Sequence, residues 1–209
     1  MKAFFKERSY DVVKMFLNQF ATAIFGFVLA LASTKAHNAV LRNVTSGFAV
    51  LFYLFLLYTM TWEIGFRDKI PIEKGRKPFR PLTGLCISLC ANLPNFLLAL
   101  FIMLGSLTNV PVFNNIGGVC GSIAVVLEGM FTGLLANHVG DVPLNSFWWV
   151  YFLIILPSLL CCTVAYLLGT KDKKFTGVFK FQYPASDREP KRKKKDDEPD
   201  PRDWEPKDK

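Results

Sequence analysis

The sequence predicts an all-α protein: a polytopic helical membrane bundle with four transmembrane helices and a fifth apolar segment that is re-entrant, broken or buried. Three observations predict it. The chain of 209 residues is 51% hydrophobic, with a mean hydropathy of +0.27, although 20% of it is charged. Its charges are segregated. Residues 81–170 hold no Lys or Arg and only two acids, Glu128 and Asp141, whereas the tail 171–209 holds 13 of the 25 basic and 10 of the 17 acidic residues. Finally, five apolar runs approach or exceed the ~20 residues that a helix needs to cross the hydrocarbon core. Such a chain is not an ordinary soluble globular domain. The runs are continuous rather than alternating, which excludes the strands of a β-barrel.

In chain order, residues 1–14 form a cytoplasmic N-terminal segment and 15–170 the transmembrane domain. Met15–Ala32 is 18 residues without a charge. A basic start, an apolar run and Ala30-Leu31-Ala32 also outline a cleavable signal peptide. Glu7 and Asp11 before the run, and Asn18 and Gln19 within it, favour a retained anchor helix. Val44–Trp62 is 19 residues, and Leu82–Leu107 is 26 with Pro94 near its middle. Ile116–Val139 is 24 residues with Glu128 near its centre, and Phe147–Leu168 is 22 with Pro157 inside. The prolines predict kinks, because neighbouring helices can satisfy the carbonyls they free.

Basic residues in short loops favour the cytoplasmic side. Lys2, Lys6, Arg8 and Lys14 precede the first run, Arg67–Arg80 follows the second, and Lys191–Lys195 lies in the tail. All three are expected inside, so an even number of crossings must lie between the basic loop and the tail. Three apolar runs are available there. Leu82–Leu107 could split at Pro94 into a hairpin, or Ile116–Val139 could be re-entrant or broken. The second fits better, since this run has a carboxylate at its midpoint and Gly117, Gly118 and Gly121 near its start. The links Thr108–Asn115 and Gly140–Ser146 around it lack basic residues and are expected on the same outer side. Trp148, Trp149 and Tyr151 would then mark the outer interface, and Trp62 and Tyr166 the inner one.

Glu128 is the most informative single residue. An ionised carboxylate at bilayer depth costs several kcal/mol, so it is expected to face the interior, be protonated or find a partner. On a continuous helix, Gly121, Ala124, Glu128, Thr132 and Leu135 share a face. Gly117/Gly121 and Gly129/Gly133 form two GxxxG pairs, whose small residues let helix backbones approach closely. Ser88, Asn92 and Asn95 share one side of the third run, with two amides around the Pro94 kink. Amides and freed carbonyls at such a break can line a polar pocket or simply bond helix to helix. The candidate substrate- or ion-binding residues are therefore Glu128, Thr132, Ser88, Asn92 and Asn95.

No enzyme signature is present. There is no GxSG nucleophile motif, HExxH, paired intramembrane aspartates or phosphate-binding loop, so the chain is expected not to be an enzyme. His138 and Asp141 are two residues, too few for a metal site. Cys86, Cys90, Cys120, Cys161 and Cys162 all lie in apolar runs and indicate neither a disulfide framework nor a metal set, and no cofactor is expected. Arg67, Lys69, Lys74, Arg76, Lys77 and Arg80 are candidates for docking anionic lipid headgroups or a partner, at about 1 kcal/mol per cation. In the tail, Phe175–Tyr183 alternates aromatic with small or polar residues. From about 184 the Pro-rich charged composition predicts disorder. Acids follow the Lys191–Lys195 run at once, so nucleic-acid binding is not expected.

These features point to a multi-pass plasma-membrane protein with both termini cytoplasmic. It is expected to be a transport component that binds or translocates a small molecule or ion at an intramembrane carboxylate. The other class is a non-catalytic scaffold or accessory subunit of a larger membrane complex. Its small size favours a homo-oligomer or association with other membrane subunits in either case.

Overall fold

Helix accounts for most of the described residues. The computed structural model describes residues 2–108 and 110–173, with side chains from Glu7 onward. The expectations for Phe175–Tyr183 and for the charged tail lie outside the described residues. Two long helices come first, α1 (Lys2–Lys35) and α2 (Ala39–Glu73). Between them His37 adopts a left-handed φ of 51°, and Asn38 caps α2 by accepting from the Val40 and Leu41 amides at 2.9 and 3.1 Å. That bond satisfies two of the free N–H groups of a helix start.

The third apolar run is divided into α3 (Thr83–Ala91) and α4 (Leu93–Leu107), bent by 58° at Asn92. Pro94 explains the bend, since its ring lacks the N–H that would continue the ladder. It is a kink and not a hairpin. The fourth run breaks more sharply. Helix α5 (Pro111–Leu127) ends at Glu128, and a 3-10 turn (Gly129–Phe131) leads into the four-residue α6 (Thr132–Leu135) at an angle of 83°. A short hairpin follows, β1 (His138–Val139) against β2 (Val142–Pro143), turning at Gly140 with φ +65°. Then come α7 (Trp148–Leu153) and α8 (Leu156–Thr170), which together make one apolar stretch, Trp148–Thr170.

Among the described residues, three helices are long and apolar enough to cross a membrane, or up to five if each bent pair counts as one span. An apolar core that includes Met15, Leu57, Ile64, Ile87 and Met130 coexists with an apolar surface and buried polar side chains. Leu17, Phe20, Ile24, Val28 and Leu31 of α1, and Leu156, Leu160 and Val164 of α8, are exposed, whereas Gln19, Thr22, Ser88, Asn92, Asn95, Glu128 and Ser158 are buried. In lipid this arrangement is favourable: apolar side chains meet hydrocarbon and polar ones pair inside.

Small residues set the helix crossings. A β-carbon on Gly65 would meet the Tyr166 carbonyl, one on Gly169 the Trp62 carbonyl, and one on Gly84 the Cys162 carbonyl, so α8 packs backbone to backbone on α2 and α3. Between α4 and α5, a β-carbon on Gly105 would lie 2.9 Å from the Gly117 Cα.

Candidate functional site

Asn92 sits where α3 ends and is 1% exposed. The Pro94 break brings its amide into the bundle rather than onto a helix surface. Its amide nitrogen donates to the Ser88 carbonyl at 2.9 Å and lies 3.4 Å from Ser88 Oγ and 3.2 Å from Ser158 Oγ. Its carbonyl oxygen accepts from Gln19 Nε2 at 2.9 Å and from Asn95 Nδ2 at 3.4 Å. Ser158 donates to the Ile155 carbonyl at 2.7 Å and is hydrogen-bonded to the buried Tyr53. Cys162 packs beside Thr61 and Ser88. Ser88, Asn92 and Asn95 are thus brought together with Gln19 of α1, Tyr53 of α2 and Ser158 of α8.

Glu128 forms the corner between α5 and the 3-10 turn and is 3% exposed. Its position follows from Gly129. A β-carbon there would collide with the Ala23 carbonyl and lie 2.7 Å from Phe27 Cβ, so the turn lies directly on α1. Ala23 is one helical turn beyond Gln19, so the backbone next to Glu128 meets α1 one turn beyond the residue that bonds Asn92. Tyr53 and Tyr151 lie within electrostatic reach of it. Among the described residues, Glu128 Oε2 has no hydrogen-bond partner, and neither does the buried Gln19 Oε1. An unpaired buried acceptor carries a desolvation penalty of about 1–3 kcal/mol, more when charged, so these two atoms need an explanation.

Other candidates fall elsewhere. The break cuts the helical face that would have carried Thr132 beside Glu128, and the Thr132 hydroxyl instead donates to the Val125 carbonyl at 2.9 Å, closing the corner. Gly133 packs on the Ser46 side chain and lies near Arg42, whose Nη2 donates to Asn137 at 3.0 Å. The end of α6 thereby returns to the start of α2. Gly117 meets Gly105, while nothing lies within 4 Å of a β-carbon on Gly121 or Gly118. His138 and Asp141 are on the exposed hairpin, and all five cysteines are free.

The basic segment needs correction. Helix α2 runs on to Glu73, so Arg67 and Lys69 are helical rather than in a loop. Both are committed within the chain: Arg67 to Asp11 at 2.9 Å and Lys69 to Asp172 at 3.1 Å. Lys77 pairs with Glu7 and lies 3.9 Å from Asp68. Lys74, Arg76 and Arg80 are exposed. At the centre of this network Arg8 pairs with Asp68 and donates to Asp11 at 3.2 Å, and Tyr166 donates to Asp68 at 3.0 Å. Arg8, Asp11 and Asp68 are all buried. Tyr166 is therefore an internal ligand of a carboxylate rather than an interfacial anchor. Tyr151 is likewise buried, its hydroxyl donating to the Asn145 carbonyl at 3.1 Å.

Comparison with protein-family models, curated proteins and solved structures gave no match.

Proposed function

We propose that the chain is a multi-pass plasma-membrane transport component with both termini cytoplasmic. In this account α1, α2, the kinked α3–α4 pair and α7–α8 cross the bilayer. The α5–α6 pair enters from the outer side and returns to it, leaving Glu128 at depth. The observation that carries the proposal is Glu128 itself: a carboxylate 3% exposed at an 83° corner, with one oxygen unpaired among the described residues. Broken helices that present polar groups inside a bundle are a recurring way to build substrate and ion sites in membranes. Lys74, Arg76 and Arg80 would rest on anionic headgroups, while the other three cations of that segment hold the inner end together.

The test is tracer flux in vesicles reconstituted with the purified chain and loaded with labelled sodium, rubidium, methylammonium or acetate. Wild-type vesicles are expected to release at least one tracer faster than protein-free vesicles. Glu128→Gln is expected to bring that rate to the protein-free level with unchanged expression. No flux of any tracer would remove the transport assignment.

A scaffold role is favoured by one specific observation. The face of α5 carrying Gly118, Gly121, Val119, Ile123 and Val126 is left open by the other described residues, as a surface for a second copy or another subunit would be. In that case Glu128→Gln loses a co-purifying partner rather than a flux.

A further inference from the structure

The hydrogen-bond inventory of the interior site carries information about what it holds. Its amide donors are spent. Gln19 Nε2 and Asn95 Nδ2 both go to Asn92 Oδ1, Asn92 Nδ2 goes to Ser88 and Ser158, and Ser158 Oγ goes to the Ile155 carbonyl. What remains unpaired is acceptor oxygen: Gln19 Oε1 and Glu128 Oε2, on residues 5% and 3% exposed. The Gly129 backbone next to Glu128 rests on the Ala23 carbonyl of α1, one helical turn past Gln19. No ion pair to Glu128 is formed among the described residues. Two other buried atoms are also unpartnered among the described residues: the Thr61 hydroxyl, which can donate or accept, and Arg42 Nε, whose guanidinium is held by Asn137 and packs near Gly133, beyond the corner.

We propose that the ligand of this site is a small cation that donates hydrogen bonds, an ammonium group, which bridges Glu128 Oε2 and Gln19 Oε1; this rests on the interior site assigned above. A site with spare acceptors and a carboxylate satisfies a donor cation and repels an anion, which brings only more acceptors. A divalent metal is a poor match, because no group of three or more His, Cys, Asp or Glu residues able to hold one occurs among the described residues.

The test is thermal unfolding of the purified full chain in lipid nanodiscs with methylammonium chloride, sodium chloride or sodium acetate at equal ionic strength. A ligand that binds only the folded state raises its stability, so methylammonium is expected to lift Tm by about 3 °C or more, with saturation. Sodium chloride and sodium acetate are expected to leave Tm in place. The rise disappears in Glu128→Gln. It also weakens in Gln19→Met, which keeps the volume, removes the amide oxygen and serves if the first variant does not fold. An equal rise with sodium, no rise with methylammonium, or a rise retained in both variants overturns the assignment. If flux fails while the stabilisation stands, transport is lost and the ammonium site remains. If the stabilisation fails while flux stands, only the ammonium assignment falls.

Discussion

Asp68→Ala is expected to destabilise the folded chain by about 3 kcal/mol, the scale of removing one partner from a buried ion pair. Arg8, Asp11 and Asp68 side chains are only 11%, 9% and 8% exposed. Without Asp68 the Arg8 guanidinium keeps Asp11 at 3.2 Å and the half-exposed Glu7 only at 3.9 Å, and the Tyr166 hydroxyl loses its acceptor. The loss is expected to be mostly the stranded charge, not the net worth of the bond. The double variant Arg8→Met/Asp68→Met should therefore recover most of it, because replacing a buried pair by apolar side chains of similar volume is often close to neutral. Reversible denaturation in mixed micelles measures both. A single variant that loses less than about 1 kcal/mol would mean the pair is solvated and worth what a surface pair is worth.

Gly129→Leu should have an effect of similar size for a steric reason. Even a β-carbon at Gly129 collides with the Ala23 carbonyl, which is backbone and cannot rotate away. Either α1 moves or the turn lifts off it, and overpacking of this kind typically destabilises by about 1–3 kcal/mol, occasionally more. Because the turn is what positions Glu128, site function should fall with stability. Gly121→Leu is the matched control. Nothing lies within 4 Å of its β-carbon, so the monomer should change by no more than about 0.5 kcal/mol. If instead Gly121→Leu shifts the oligomeric state in cross-linking while the monomer stays folded, the open α5 face is an interface.

The two breaks were legible in the sequence because each has a local cause. Pro94 removes a ladder donor, and a carboxylate amid glycines interrupts an apolar run. The clustering of Ser88, Asn92 and Asn95 followed from helical spacing. The ion network around Arg8 was not legible. Arg8 and Asp68 are 60 residues apart, and each looked like an ordinary charge near a helix end. Gln19 shows the same limit: an amide in an apolar run is expected to bond helix to helix, but nothing in the spacing names its partner, Asn92, 73 residues away. Long-range polar pairs leave no periodicity. Their only sequence trace here is that acids (Glu7, Asp11, Asp68) recur inside segments otherwise chosen for positive charge. Thr132 failed for the opposite reason. Its place on a face with Glu128 assumed an unbroken helix, and the break redirected it to the Val125 carbonyl.

The central claim is that the fourth apolar segment turns back at Glu128 rather than crossing. Single cysteines at Asn115 and Asn145, both exposed and on either side of the segment, test it most directly in an otherwise cysteine-free chain. With a membrane-impermeant thiol reagent applied to intact cells, both positions are expected to be labelled from outside. Labelling of one from outside and the other only after the inner face is opened would show a full crossing and contradict the account.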